Sequence, residues 1–196
     1  VRAVIRDTVD LVRTQGHFTR VVLVSDVPED VELVVRGDPY QLQQVLVNLL
    51  VNAADAVEKT PNPRVAISAL RRHADPPPAH TPARRKDDPE GVDYSHRRRL
   101  AASPRWPVGD PETDSGDVVE LIVTDNGPGL PPNMTEQVFE PFVTTKEPGK
   151  GTGLGLAVCA RLIDAMGGVI RAGNAADGGA RFSVVLPAEP AEVEST

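Results

Sequence analysis

Two glycine-rich turns and one asparagine-bearing helical segment limit what this chain can fold into more than any other feature. In chain order they are residues 48–53 (NLLVNA), 125–130 (DNGPGL) and 151–156 (GTGLGL). Glycine allows a tight turn and a close approach of the backbone to a ligand. Each segment alone is a weak signal, but the three together predict a pocket for a nucleotide and its metal ion.

The first glycine turn follows an apolar run. Residues 118–124 (VVELIVT) are rich in β-branched side chains and predict a buried strand. This strand would carry Asp125 to the pocket floor, where a buried carboxylate needs hydrogen-bond donors and the adenine amine is a suitable one. Gly127 and Gly129 would let the backbone lie close to the base. An ordinary turn is the alternative, because these residue types are also common turn formers.

The second glycine turn leads into a predicted helix. Residues 152–166 carry apolar side chains at helical spacing. The free N–H groups and the positive dipole end of such a helix start suit phosphate oxygens. The residue order matches neither a P-loop nor a dinucleotide-binding fingerprint. A flexible loop followed by a helix start is the alternative.

The asparagines lie in a helix whose start is clearly signalled. Asp38 is a candidate N-cap, Pro39 suits the first helical position and Gln41 completes a capping box, which together predict a helix over 39–59. A carboxamide oxygen is a hard neutral ligand for Mg²⁺, so polar residues on this helix predict a metal and phosphate site, with a solvated face as the alternative. These residues follow one another at intervals of three and four and are Gln44, Asn48, Asn52 and Asp55.

The remaining pattern predicts an α/β protein. A further helix is predicted at 1–14, and further strands at 21–24, 32–35, 64–70, 169–172 and 180–186. Strands with helices covering one side predict a two-layer α/β sandwich with a mixed sheet. Residues 72–117 are rich in proline and charge and poor in apolar side chains, which predicts a largely disordered insert.

The order of the segments resembles the catalytic, ATP-binding domain of bacterial sensor histidine kinases, within the GHKL superfamily that also contains DNA gyrase and MutL. The likeness extends through residues 139–142 (FEPF) and Thr144-Thr145-Lys146, and residues 139–156 are especially similar to nitrogen-regulator sensor kinases. The resemblance implies a Bergerat-type fold over residues 1–188, with about five strands covered by three helices. It also implies a mobile ATP lid at 131–150 and a flexible tail at 189–196.

The resemblance implies roles for individual residues. Asn52 would hold Mg²⁺, Asn48 would lie near the phosphates and Lys146 would act from the lid. Catalysis is assigned to Asn48, Asn52 and Lys146. The residues implied in binding ATP with its Mg²⁺ are Asn48, Asn52, Asp55, Asp125, Gly127, Gly129, Lys146, Gly151, Thr152, Gly153, Leu154 and Gly155.

The same resemblance implies a kinase rather than an ATPase. Relatives that hydrolyse ATP commonly carry a glutamate at the position of Asn48, as a base for water, and an amide cannot take that proton. The implied function is transfer of the γ-phosphate to a histidine. The four histidines here lack the context of the family's phosphoacceptor, so the acceptor is expected to be another histidine; the four are His17, His73, His80 and His96. The acceptor histidine would lie on a separate dimerisation and phosphotransfer domain of the same kinase. A GHKL ATPase and a non-catalytic nucleotide-binding module are the alternatives.

Two residues depart from the family pattern. Asp55 stands where many of these kinases have lysine, which leaves its role open. Ala180 stands where the closing strand usually has threonine, so we expect a hydroxyl contact near the adenine to be missing.

Composition narrows the partners and the location. The net charge of −7 gives no support to nucleic-acid binding. The single cysteine, Cys159, favours a reducing compartment and a role in core packing. No apolar run is long enough to span a bilayer, and the chain begins with valine, so we expect a cytoplasmic fragment or the cytosolic part of a membrane-bound sensor. The full-length protein is expected to be a homodimer that acts on a downstream response regulator.

Overall fold

The computed structural model describes residues 1–73, 116–132, 134, 135, 137–144 and 151–189. The helices in these residues are α1 (Arg2–Arg13), α2 (Pro39–Ala56) and α3 (Gly155–Ala165), with short 3₁₀ helices at Gly16–Phe18 and Gln137–Phe139. The strands are β1 (Val22–Asp26), β2 (Arg64–His73), β3 (Asp117–Asp125), β4 (Val169–Asn174) and β5 (Ala180–Pro187).

The strands form one mixed sheet in the order β1-β2-β3-β5-β4. β1 is parallel to β2, and the other neighbouring pairs are antiparallel. β3 lies at the centre, with β2 on one side and β5 on the other. The predicted two-layer α/β sandwich with a five-stranded mixed sheet and three helices is confirmed.

The helices cover one face of the sheet. Alternate residues of β3, including Leu121 and Val123, belong to the same buried cluster as Leu46 and Leu50 of α2. Both α2 leucines have 0% exposure, and burying such a side chain contributes roughly 1.5–3 kcal/mol. The core therefore fixes α2 against the central strand, which ends at Asp125.

The strand predicted at 32–35 is wrong. Only an isolated bridge between Val35 and Ala188 forms there. Within the segment, the Leu33 oxygen accepts from the Val1 ammonium group at 3.0 Å and the Val34 oxygen accepts from the Glu189 amide at 2.9 Å. Just before the segment, the Arg2 guanidinium donates to the oxygens of Pro28 and Val31 at 2.9 and 2.8 Å. These contacts take the place of a regular strand ladder. The apolar residues of the segment pack on the core without joining the sheet.

The predicted insert is shorter at both ends than 72–117. Arg72 and His73 pair with Val118 and Asp117 in the β2–β3 ladder. Ion pairs across these strands, including Arg72 Nε to Glu120 Oε2 at 2.7 Å, explain why charged residues continue the ladder. Residues 74–115 lie outside the described residues, so the predicted disorder of the insert stays a prediction.

The predicted tail also begins later than residue 189. The Glu189 amide donates to the oxygen of Val34 at 2.9 Å, and its carboxylate pairs with Arg36 at 3.0 Å. Residues 190–196 are not among the described ones.

Candidate functional site

Asp125 ends the central strand and is 6% exposed. Its Oδ1 accepts hydrogen bonds from the amides of Gly127 at 2.8 Å and Ala180 at 3.2 Å. Burial raises the pKa of Asp125, and the two amide bonds act in the opposite direction. Oδ2 takes no hydrogen bond from the described residues, so one oxygen is fixed by the main chain and the other can accept from a ligand.

Gly127 brings the first turn close to α2. A Cβ at this position would lie 2.9 Å from Asp125 Oδ1 and 3.0 Å from the carbonyl oxygen of Ala56. The first distance is shorter than real Cβ contacts and the second is at their tight limit, so any residue other than glycine would require a shift of its neighbours. The turn therefore lies directly against the last turn of α2.

Two asparagines hold the first turn in place, and sequence reasoning missed both roles. Asn126 Oδ1 accepts from the Arg64 amide at 2.8 Å, and its Nδ2 donates to the oxygen of Asn62 at 3.0 Å. Asn174 bonds both main-chain groups of Leu130. No local pattern marks these contacts, because the partners are 62 or more and 44 residues apart, respectively.

α2 presents one of its two asparagines, Asn48, to the start of α3. Asn48 and Asn52 are half-buried, one helical turn apart. Asn48 Oδ1 lies 3.7 Å from the position that a Cβ would take at Gly155. The thiol of Cys159, which is fully buried on α3, donates to the Val45 oxygen of α2 at 3.9 Å, and the Asn48 side chain acts to lower the pKa of this thiol. The predicted core packing of Cys159 is thus what the structure has, and it lies beside a candidate site residue.

The second glycine turn opens α3. Gly153 has φ +64°, outside the helical region, which is why the helix begins at Gly155 and not at 152 as predicted. The N-cap residue is Leu154, and no side-chain hydrogen bond caps this end within the described residues. Thr152 Oγ1 accepts from the Leu154 amide, at a long 3.4 Å. The first-turn amides of α3 are therefore available to an anion.

The two phenylalanines of the predicted lid have different environments. Phe139 packs edge-on against Phe182 of β5, with ring centroids 6.5 Å apart and an interplanar angle of 86°. Phe142 is 76% exposed, and its amide donates to the oxygen of Gly153 at 2.9 Å. Phe139 therefore anchors this segment through its ring, whereas Phe142 connects it to the second glycine turn through its backbone.

Of the other predicted site residues, three lie among the described residues and one lies outside them. Asp55 Oδ1 lies 2.8 Å from Nδ1 of His17, so its carboxylate is engaged by the segment after α1. Gly129 has φ +78° and lies next to Asn174. Gly151 is half-buried before α3. Lys146 is outside the described residues.

Ala180 has no side-chain hydroxyl group, but its backbone amide contributes to the site. Its amide holds Asp125 Oδ1, so alanine suffices for the protein's own contact to this carboxylate. The expected loss of a hydroxyl contact to the adenine stays a prediction.

Two absences hold for the described part of the chain. None of its helices has the length and apolar character that crossing a membrane requires. It also has no group of three or more His, Cys, Asp or Glu side chains that could hold a metal ion.

Known proteins match most of the chain. The sequence model of the family described as histidine kinase-, DNA gyrase B- and HSP90-like ATPase matches residues 37–190. The two-component sensor PprA of Pseudomonas aeruginosa is 39% identical over 161 residues, which cover 82% of this chain and 13% of PprA. The nitrogen regulation protein NtrY of Azorhizobium caulinodans is 32% identical over 194 residues, which cover 98% of this chain and 20% of NtrY. The chain thus spans a fifth or less of these two relatives.

A solved structure has the same fold. The nucleotide-free catalytic domain of the histidine kinase ThkA has a TM-score of 0.62 at 24% identity, with 96% of this chain and 95% of that chain covered. At this identity the likeness concerns the fold alone.

Proposed function

Since the chain belongs to the histidine kinase-, DNA gyrase B- and HSP90-like ATPase family, we propose that it binds Mg-ATP and transfers the γ-phosphate to a histidine on a separate domain. The observation that carries this proposal is the position of α2 between the two glycine turns. Its end contacts Gly127 through the Ala56 carbonyl group, and its middle contacts the start of α3 through Asn48. One helix thereby joins a base site to a phosphate site.

The adenine would bind at Asp125. Its free Oδ2 is suited to accept from the exocyclic amine, while Oδ1 stays on the main chain. Gly127 lets the turn lie against Ala56 and beside Asp125, where a Cβ would crowd both, so the base would meet bare main chain there. Guanine presents a carbonyl oxygen at the corresponding place and would meet a carboxylate, so the site should select adenine.

The phosphates would lie between α2 and the first turn of α3, where the uncapped amides of Gly155 and its neighbours are oriented for anions. The half-buried amides of Asn48 and Asn52 fit Mg²⁺ as neutral oxygen ligands, with Asn52 as the direct one. Phosphate oxygens and water would complete the coordination. Bound Mg²⁺ would neutralise charge on the phosphates.

Catalysis would consist mainly of positioning. The chain would hold the γ-phosphate in line with an imidazole nitrogen and stabilise its charge, as is general for phosphoryl transfer. Lys146 would add a positive charge when the 131–150 lid closes. Asn48 cannot accept a proton from water, which favours transfer over hydrolysis.

The acceptor would lie on the dimerisation and phosphotransfer domain of the same kinase. Of the histidines in the described residues, His17 is bound to Asp55 and His73 to Asp117. His17 lies in the short 3₁₀ helix and His73 at the end of β2, so neither lies on an α-helix. The full-length protein would be a homodimer that passes phosphate to a response regulator, with this domain in the cytoplasm.

A transfer assay tests the proposal. The chain is mixed with a separately expressed phosphoacceptor domain and γ-labelled Mg-ATP, and acid-labile label on that domain is measured. We expect label on histidine and little free phosphate. Free phosphate without labelled protein would support an ATPase instead, and binding without either product would support a non-catalytic module.

Asn52→Ala is the matching residue test. We expect it to lower transfer by about 100-fold, the order found when one group that stabilises transition-state charge is removed. Tyr40→Ala is the control, since Tyr40 is 79% exposed on the same helix and is not one of the predicted site residues. Equal transfer by the two variants would refute the assignment of Asn52.

A further inference from the structure

One residue pair of the β4–β5 hairpin holds the first glycine turn at both ends. Asn174 of β4 and Ala180 of β5 are partners in the sheet register. The Ala180 amide donates to Asp125 Oδ1 at 3.2 Å, where the turn begins. Where it ends, Asn174 Oδ1 accepts from the Leu130 amide at 2.7 Å and Asn174 Nδ2 donates to the Leu130 oxygen at 3.1 Å.

The Asn174 carboxamide pairs with the main chain of Leu130 in the way that a neighbouring β-strand would. It satisfies both main-chain groups of Leu130 at ordinary hydrogen-bond distances. Gly129 is shaped to this contact, because its φ is +78° and a Cβ there would lie 2.8 Å from Asn174 Oδ1. A glycine at position 129 therefore makes the Asn174 contact possible. The role near the base that the resemblance implies for Gly129 would follow from that contact.

We propose that Asn174 is a positioning residue for the adenine site. It fixes the far end of the 125–130 turn, so that Asp125 and the Gly127 backbone meet the base in a single arrangement. Asn174 acts through the turn and not by touching the nucleotide. The Leu130 side chain packs on the core, which gives the proposed lid that follows a fixed starting point. This inference rests on the proposed function.

The test compares the wild-type chain with Asn174→Ala by calorimetry, using Mg-ATP and Mg-GTP, with circular dichroism to show that both are folded. Loss of the two hydrogen bonds should weaken ATP binding about 10-fold, on typical values for such bonds. GTP binding should change little, so the ratio of the two affinities should fall. In the transfer assay KM for ATP should rise while kcat at saturating ATP stays near its wild-type value.

Two further variants sharpen the comparison. Asp177→Ala changes an exposed residue in the turn of the same hairpin and should alter neither affinity nor selectivity. Asn174→Asp keeps the acceptor for the Leu130 amide but sets a second acceptor oxygen against the Leu130 oxygen, so its ATP affinity should be as low as that of Asn174→Ala or lower.

The positioning role is overturned if folded Asn174→Ala keeps the wild-type ATP affinity and ATP-to-GTP ratio. A lower melting temperature with unchanged affinity would also overturn it, since that result describes a purely structural contact. Failure of the wild-type chain itself to bind Mg-ATP would be a different outcome, which contradicts the proposed function.

Discussion

Asp125 is a buried acid whose charge the fold disfavours. Burial raises its pKa above the ordinary 3.8, against the effect of the bonds from Gly127 and Ala180. The folded chain therefore binds this proton more tightly than the unfolded chain does. The contribution of Asp125 to stability is most favourable below pH 3.8 and declines as the pH rises through the raised folded-state pKa. A carboxylate kept in such a position is a good candidate for ligand binding.

Asp125→Asn should weaken ATP binding by about 10- to 100-fold, because a charged acceptor typically contributes roughly 1.5–3 kcal/mol to a hydrogen bond. The free energy of unfolding at pH 7 should equal or exceed that of wild type, since an amide oxygen can still accept from both main-chain amides. The gain should shrink as the pH falls towards 3.8, the ordinary pKa. Calorimetry and urea unfolding at several pH values measure both effects. A variant destabilised at pH 7 in proportion to its loss of affinity would contradict this account.

Cys159 should be chemically inert in the folded chain. Burial raises the pKa of its thiol to about 11, although the neighbouring Asn48 side chain acts to lower it. Because the thiolate is the reactive form, iodoacetamide at about pH 8 should label Cys159 only after urea unfolds the chain. Mass spectrometry of both samples gives the answer. Rapid labelling of the folded chain would show that α3 opens away from α2.

At the scale of the element, the start of α3 depends on Gly153. Its φ is +64°, and a Cβ would lie 2.5 Å from the carbonyl carbon of Phe142. Gly153→Ala should lower the free energy of unfolding by about 1–3 kcal/mol and weaken ATP binding, since the second turn and residues 142–144 must both shift. Urea unfolding and calorimetry check the two effects.

Gly173→Ala is the control for that variant. Gly173 lies in β4 without a positive φ, and nothing is within 4 Å of a Cβ placed there. It should leave stability and affinity near their wild-type values. If Gly153→Ala behaves in the same way, the second turn does not need the backbone conformation seen at Gly153.

Elements with strong local signals were predictable from the sequence. Asp38 was predicted to cap α2, and its carboxylate does accept from the Tyr40 amide at 2.8 Å. The apolar residues at 32–35 gave an equally local signal and misled, because their carbonyl groups bond to residues distant in sequence, Val1 and Glu189. Asn126 and Asn174 were missed for the same reason. Their partners are chosen by the sheet and not by neighbouring sequence.

At the scale of the whole molecule, the sheet carries the site and the insert interrupts it between β2 and β3. Their ladder runs without a gap from Val65 and Asp125 to His73 and Asp117. Replacing residues 74–115 with Asn-Gly, which together with Gly116 leaves a three-residue loop, should therefore leave ATP affinity within about twofold of wild type, because glycine-containing loops of this length close hairpins.

A longer deletion distinguishes the contribution of the end of the β2–β3 ladder from that of the insert. Removing 72–117 also removes the Arg72–Glu120 ion pair and the last ladder pairs, so it should be less stable than the 74–115 deletion in urea. If the shorter deletion already loses ATP binding or fails to fold, the insert is part of the domain's structure.

Binding of Mg-ATP to this chain is the measurement on which the account depends most directly. Calorimetry should show one site per chain, weaker binding of ATP without Mg²⁺, weaker binding of Mg-GTP, and loss of affinity in both Asp125→Asn and Asn52→Ala. A well-folded chain that gives no binding heat with Mg-ATP at millimolar concentrations, at more than one temperature, would contradict it.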